Sequence, residues 1–332
     1  MTHAKISGIA SWVPDDILDN EMLSKMVDTN DEWITTRVGI KERRILKDES
    51  KGSSYMGTKA VERLLADTGT APEDVELLIC ATSNPDYRFP STASVIVHDA
   101  GLSRAYAYDI QAACAGFIVS VQAARAYIEA GLYKKVIVVC AEKMSSMTDY
   151  EDRATCPLFG DAAAAVLMEP TSENVGIMDG EFHVDGEGLP HLLMKAGGSA
   201  RPASIETVRN REHFVYQEGR NVYKNAVVDM LTSSQSVMAR NALTSDNLDW
   251  FVPHQANLRI IEAVGGRINI PEEKILVNIQ HYGNTSAASI PLCLDEYKSR
   301  LKKGDRIVLT AFGAGFTWGA MYLIWAFDTP EK

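Results

Sequence analysis

The sequence predicts an α/β protein made of two similar halves, with one helix buried between sheets. Three observations predict it. Apolar strand-like runs alternate with helix-length segments along all 332 residues, the pattern of a parallel or mixed sheet with helical crossovers. The order of elements in the second half resembles that in the first, without a repeat at residue level. Beyond Cys114, the positions Ala115, Gly116, Phe117, Ile118, Val119, Val121, Ala123 and Ala124 are all small or apolar. A helix apolar on all sides is buried on all sides.

In the first half the expected strands are AKISGIASWV, ELLICATS, AYAYDIQAA, KKVIVVCAEK and AAAAVLME. Between them lie helical stretches GTKAVERLLADTG, STASVIVHDAGL and CAGFIVSVQAARAYIEAG. Polarity rises at TSENVG, residues 171 to 176, which divides the chain into halves 1–172 and 173–332. The second half opens on strand-like GIMDGEFHVD and LPHLLMKAGG. A long helix follows through GRNVYKNAVVDMLTSSQSVMARNAL, whose Val222, Tyr223, Ala226, Val227, Met230, Leu231, Val237 and Met238 keep helical spacing. Then come DWFVPHQA (strand into loop), LRIIEAVGGRI (helix), KILVNI (strand), TSAASIPLCLDEYKSRL (helix) and two closing strands, DRIVLTAFG and TWGAMYLIWAF.

Composition narrows the function. With 46% hydrophobic and 23% charged residues the chain is globular, not fibrous or disordered. A net charge of −11 repels phosphate backbones and argues against nucleic acid as the partner. An acidic partner would need a local basic face. The N-terminus lacks a basic run followed by a long apolar core, and FTWGAMYLIWAF is too short to span a bilayer; no membrane or targeting segment is expected. The five cysteines, Cys80, Cys114, Cys140, Cys156 and Cys293, are widely spaced and show no metal-ligand pattern. Neither a disulfide framework nor a metal site is expected, and a reducing cytoplasm fits.

Four places could carry chemistry. Cys114 follows a strand and opens the buried helix, where the backbone dipole and free N–H groups favour a thiolate. Taken alone, a buried cysteine is more often a small core residue. His254, in WFVPHQANLRI, sits at a strand end, where sites in α/β folds collect; a loop histidine bonded to backbone is the plainer alternative. Asn284, in HYGNTSAASIP, either caps the following helix or turns its amide to a substrate carbonyl. AFGAGFTWG joins strand to strand and lacks the G-x-G-x-x-G register, so it reads as a glycine-rich connection bringing backbone N–H groups close to a ligand.

Together these segments resemble one family. VDTNDEWITTRVGIKERRI, DIQAACAGF, VPHQANLRI, HYGNTSAAS and AFGAGFTWG stand in the order and approximate spacing of β-ketoacyl-acyl-carrier-protein synthase III, a thiolase-like condensing enzyme. The resemblance covers essentially the whole chain. It implies the five-layered αβαβα thiolase-like fold with two duplicated halves, a homodimer, and no metal or other cofactor, acyl-CoA being a substrate. It implies that Cys114 accepts the acyl group and that His254 and Asn284 hold the malonyl thioester carbonyl. The oxyanion hole would be the backbone N–H groups of Cys114 and Ala314. Trp33 and Arg153 match the pair that sandwiches the adenine of coenzyme A, with Thr29 and Arg37 nearby and Asn257 on the pantetheine side. Phe89 matches the aromatic that crosses the dimer interface to close the partner's acyl pocket. Lys224, Arg259 and Arg267 match the face for acyl-carrier protein.

The chain departs from the family's pattern in three places. Ala314 stands where many relatives have glycine, FGDAAAAV replaces a more glycine-rich stretch, and Gly266 falls where another cation can occur. The implied reaction is decarboxylative condensation of an acyl-CoA with malonyl-acyl-carrier protein, initiating fatty acid biosynthesis. The alternatives are a related thiolase-like acyltransferase or a condensing enzyme of secondary metabolism, sharing Cys-His-Asn. A non-catalytic acyl-CoA binder is disfavoured, because binding alone needs no nucleophile. A Cys-His-Asn hydrolase is disfavoured by the Gly turn before Asn284 and by the buried nucleophile helix.

Overall fold

The computed structural model describes residues 2–329. In its first half, strands β1 (His3–Trp12), β2 (Leu77–Ala81), β3 (Tyr106–Ile110), β4 (Val136–Glu142) and β5 (Ala162–Thr171) stand in the order β1-β5-β4-β2-β3. β2 is parallel to β3 and β4; β5 is antiparallel to β4 and β1. In the second half, β6 (Gly176–Val184), β7 (Trp250–Pro253), β8 (Arg306–Gly313) and β9 (Thr317–Ile324) stand in the order β6-β9-β8-β7. Ile275 adds a parallel bridge to Phe251 of β7. The two sheets therefore share one topology. β6, β9, β8 and β7 take the places of β1, β5, β4 and β2, and the Ile275 bridge takes that of β3.

The principal helices are α1 (Asp31–Val38), α2 (Ser53–Thr68), α3 (Thr92–Asp99), α4 (Gly116–Glu129), α5 (Gly219–Arg240), α6 (Leu258–Ile268) and α7 (Ser289–Tyr297). α2 and α3 cover the outer face of the first sheet, α5 and α6 that of the second, and α4 and α7 lie between the sheets. This is the αβαβα layering the resemblance implies. Both faces of the first sheet are buried, so its strands read as continuous apolar runs. In β2, Leu77, Ile79 and Ala81 face the central core while Leu78 and Cys80 face the outer one. The alanines of FGDAAAAV divide in the same way, Ala162 and Ala164 inward, Ala163 and Ala165 outward. Phe117, Ile118, Val121 and Ala124 of α4 fill the central core, as its all-round apolar pattern requires.

Two sequence expectations are corrected. KILVNI is not a strand. Leu276 N–H donates to Phe251 O at 3.0 Å, but Asn278 N–H then donates to the Gln255 side chain at 3.0 Å, and the ladder ends. LPHLLMKAGG is mostly not one either. Its start belongs to a 3₁₀ segment, Gly186–His191, containing Pro190, and only Leu192–Met194 pairs, with Val215–Gln217 in a separate two-stranded sheet. No described helix is long and apolar enough to cross a membrane. All five cysteines are free.

Candidate active site

Cys114 sits in a 3₁₀ turn, Ala113–Ala115, that leads directly into α4. Ala113 takes a positive φ of 45°, which turns the chain sharply before the helix begins. The end of β8 presses against this turn. A Cβ on Gly313 would lie 2.6 Å from Cys114 N and 3.0 Å from Ala113 Cβ, so only glycine fits. Ala314 follows on the same loop, which is held by paired backbone bonds between Phe316 and Asp185 at 2.5 and 2.8 Å. The positive φ in this loop belongs to Gly315, not to Ala314; an alanine is therefore no strain there, and its N–H is retained.

His254 follows β7 and is 2% exposed. Its backbone N–H donates to Thr310 O at 2.8 Å, and its Nδ1 lies 2.7 Å from Ser289 Oγ at the start of α7. Burial pushes the imidazole pKa down to about 3, so the ring is neutral at physiological pH. Asn284 follows Gly283, whose φ is +64°. Its N–H donates to Leu158 O at 2.8 Å and its carbonyl accepts from Gly160 N–H at 3.1 Å. Its Oδ1 accepts the Ser286 N–H at 2.8 Å. A backbone N–H can only donate, so the amide oxygen is turned to Ser286 and Nδ2 is left for another acceptor.

Cys114, His254, Asn284 and Ala314 line one cavity of about 1280 Å³. Trp33, Arg37, Asn257 and Arg259 line the same cavity, as do the apolar side chains of Met144, Met147, Leu189, Met230 and Phe312. The lining thus combines cationic, polar and apolar side chains with one thiol.

The thiol is not preset as a thiolate. Burial pushes its pKa up to about 12; the Ser286 hydroxyl pulls it down and Glu142 adds to the rise. Desolvation thus opposes the helix terminus, which favours the thiolate. Glu142 is a fully buried carboxyl beneath the site. Burial raises its pKa to about 7, opposed by bonds from Ser83, Ser286 and Ala287. It accepts the Ser83 N–H at 3.0 and 3.1 Å and the Thr82 hydroxyl at 3.3 Å. The hydroxyl of Ser286, a residue at a positive φ of 51°, lowers the pKa of both the thiol and Glu142.

The other predicted residues are distributed around this cavity. Arg153 and Arg37 both pack on Trp33, at 5.2 and 5.1 Å from the ring centroid. Arg153 is also paired with Asp28 at 3.1 Å. Its guanidinium therefore lies over the Trp33 ring and beside a carboxylate at once. Thr29 and Arg153 do not line the cavity itself. Asn257 caps α6, its Oδ1 accepting Arg259 N–H at 2.9 Å. Lys224, Arg259 and Arg267 are exposed, and among the described residues none of them is in an ion pair. Phe89 is 86% exposed and does not itself line this chain's cavity, although Arg88 beside it does.

Sequence reasoning did not single out Ser289, Ser286, Gln255 or Glu142. Three of them lie inside the motifs VPHQANLRI and HYGNTSAAS, beside residues that were noticed. Glu142 ends an apolar strand, and a carboxylate closing a run such as VIVVCAE is the available signal.

The pattern described as 3-oxoacyl-[acyl-carrier-protein (ACP)] synthase III matches residues 108–186, and that of its C terminal matches residues 238–325. These segments hold Cys114, His254, Asn284 and Ala314. The chain is 56% identical over 330 residues to beta-ketoacyl-[acyl-carrier-protein] synthase III 2 of Bacteroides thetaiotaomicron, covering 99% of this chain and 98% of that one. It is 54% identical over 326 residues to beta-ketoacyl-[acyl-carrier-protein] synthase III of Porphyromonas gingivalis, covering 98% and 97%. The crystal structure of 3-oxoacyl-[acyl-carrier-protein] synthase III from Aquifex aeolicus VF5 superposes with a TM-score of 0.89 at 40% identity, covering 97% of this chain and 100% of that one.

Proposed function

The chain belongs to the 3-oxoacyl-[acyl-carrier-protein] synthase III family, and from that premise we propose that Cys114, His254 and Asn284 carry its reaction. It is an acyltransferase of fatty acid biosynthesis, the β-ketoacyl-acyl-carrier-protein synthase III that condenses an acyl primer with malonyl-acyl-carrier protein. The observation that carries the residue assignment is the convergence of Cys114, His254, Asn284 and Ala314 on one cavity from four separate segments of the chain.

In the first half-reaction Cys114 Sγ attacks the thioester carbonyl of acyl-CoA. The backbone N–H groups of Cys114 and Ala314 meet the oxyanion, the Sγ–acyl bond forms, the acyl–CoA sulfur bond breaks, and the CoA thiolate takes up a proton. The acceptor assigned to the thiol's own proton is the buried carboxylate of Glu142, with the Ser286 hydroxyl, which lowers the pKa of both groups, as the relay. In the second half-reaction the malonyl thioester carbonyl accepts hydrogen bonds from His254 and Asn284 Nδ2. As CO₂ leaves, charge collects on that oxygen, where two preplaced donors stabilise it. The enolate carbon attacks the acyl-Cys carbonyl, and the Cys114 thiolate leaves and is reprotonated. Thiol, imidazole, amide and backbone carry each step, so the reading assigns no cofactor.

The same reading places acyl-CoA against Trp33, Arg37, Arg153, Thr29 and Asn257, and carrier protein on Lys224, Arg259 and Arg267. Net charge opposes an acidic partner, so three cations without ion-pair partners are what support this face. It divides the chain at 172/173, supported by the turn between Thr171 and Gly176. It also makes the protein a cytoplasmic homodimer. Support for the compartment is five free thiols. Support for the dimer is the open edge of β3 and the exposure of Tyr106 (59%) and Phe89 (86%), an edge and aromatics that a second copy would cover. The experiment is incubation with a panel of acyl-CoAs and mass analysis of the Cys114 peptide. Acyl mass on that peptide supports the assignment; acyl mass elsewhere, or none from any donor, contradicts it.

A further inference from the structure

A histidine that donates to a carbonyl must carry its proton on the nitrogen facing the substrate. An imidazole has two tautomers, and a buried neutral ring needs something to choose between them. In this protein the choice falls to a residue on α7. His254 Nδ1 lies 2.7 Å from Ser289 Oγ, both residues being almost fully buried. The same Oγ accepts the backbone N–H of Gln255 at 3.3 Å. A serine hydroxyl has one hydrogen to donate and two lone pairs. With Gln255 N–H on one lone pair, the hydroxyl hydrogen needs an acceptor, and Nδ1 is the one in reach among the described residues. The opposite tautomer would set Nδ1–H and Gln255 N–H against the same oxygen and orphan the hydroxyl hydrogen in a buried place, which costs a hydrogen bond.

We infer that Ser289 is a positioning residue for His254: its hydroxyl donates to Nδ1 and thereby holds the ring proton on Nε2. Among the described residues Nε2 has no hydrogen-bond partner, and His254 lines the cavity, so this N–H is the one presented to substrate. The frame is rigid because Gln255 is pinned in turn. Its Nε2 donates to Pro253 O at 2.7 Å and Leu276 O at 3.2 Å, and its Oε1 accepts Asn278 N–H at 3.0 Å. Both donors of the malonyl carbonyl are thus oriented from one short segment: Ser286 N–H turns Asn284, and Ser289 Oγ turns His254. A further consequence is that Nε2, already protonated, is not the acceptor of the Cys114 proton in the free enzyme.

This inference rests on the assignment of His254 as a donor, and its test separates the two. The wild-type protein, labelled with ¹⁵N-histidine, is examined by two-bond ¹H–¹⁵N NMR, with His254 identified by its absence in His254→Ala. The expected result is a neutral ring protonated at Nε2; protonation at Nδ1 overturns the inference without any variant at Ser289. In Ser289→Ala the tautomers mix and kcat for CO₂ release from malonyl-carrier protein falls about tenfold with KM unchanged, while acylation of Cys114 by acyl-CoA changes by less than about twofold. Ser289→Thr, which keeps the hydroxyl, restores both tautomer and rate. A Ser289→Ala protein with the wild-type tautomer and rate also overturns it. If His254→Ala releases CO₂ at the normal rate, the donor role of His254 itself is overturned, and with it the catalytic meaning of Ser289, while the tautomer remains measured.

Discussion

Asn284 Oδ1 accepts the backbone N–H of Ser286 at 2.8 Å. This single bond unites two readings of Asn284. As a cap, the side chain meets an otherwise unpaired N–H at the turn into the 3₁₀ segment and α7. As a donor, the side chain is turned by that same bond so that its NH₂ faces the cavity. Ser286, at a positive φ of 51°, thus meets Asn284 through its backbone, while its hydroxyl lowers the pKa of the Cys114 thiol.

Removing Trp33 tests the adenine site. Trp33→Ala is expected to raise KM for acyl-CoA roughly tenfold, the scale of one lost stacking contact. Acylation from a short pantetheine thioester stays within about twofold, since that donor has no adenine. Equal losses with both donors, measured side by side, would move the adenine elsewhere. Because Arg153 is held on Trp33 by Asp28 at 3.1 Å, Asp28→Ala is expected to lower that KM rather than raise it.

Reversing charge at Arg259 tests the carrier face. Arg259→Glu is expected to raise KM for malonyl-carrier protein and flatten its dependence on ionic strength, while acyl-CoA priming is retained. A salt titration of both half-reactions reads this directly. Unchanged salt dependence would place the carrier on another surface.

Glu142 gives a pH signature in both stability and rate. Burial raises its pKa from 4.5 to about 7. Between those values the native state keeps the proton that the unfolded chain has released, so stability falls as pH rises across the window, by about 3 kcal/mol at most, and is constant above it. Glu142→Gln removes this slope, which thermal unfolding at pH 4.5 and pH 8 measures against the wild type. In the wild type, acylation of Cys114 rises with pH through about 7 as the carboxylate becomes able to accept a proton; in Glu142→Gln that limb disappears. If the rise persists in Glu142→Gln, the thiol's proton takes another route.

Much of this architecture is legible in the chain because burial on both faces leaves a composition signal. The first turns of α4 are almost wholly small or apolar and do lie between two sheets; β2 and β4 up to Ala141 are apolar runs for the same reason. KILVNI carries the same signal, yet the Gln255 side chain takes the Asn278 N–H that a ladder would need. No periodicity reports such an exchange. Cys114, His254 and Asn284 were legible as candidates from their settings and from the family they resemble, and they line one cavity. Ser289 was not, since 35 residues separate it from His254 and only the packing of α7 behind β7 brings them together. A helix terminus before Cys114 is visible in sequence, whereas the desolvation that opposes it around Sγ depends on segments distant in the chain.

The central claim is that acyl transfer and decarboxylation use different groups within one cavity. The direct measurement is CO₂ release from malonyl-carrier protein by Cys114→Ala and by Cys114→Ala carrying Asn284→Asp. Aspartate keeps the oxygen that caps Ser286 and replaces the donating NH₂ with a charged oxygen that can only accept. The account predicts that Cys114→Ala takes up no acyl label yet still releases CO₂. It predicts that adding Asn284→Asp slows release by ~10²–10³, the usual cost of one oxyanion donor. Undiminished CO₂ release by the double variant would contradict the account and leave Asn284 as a helix cap.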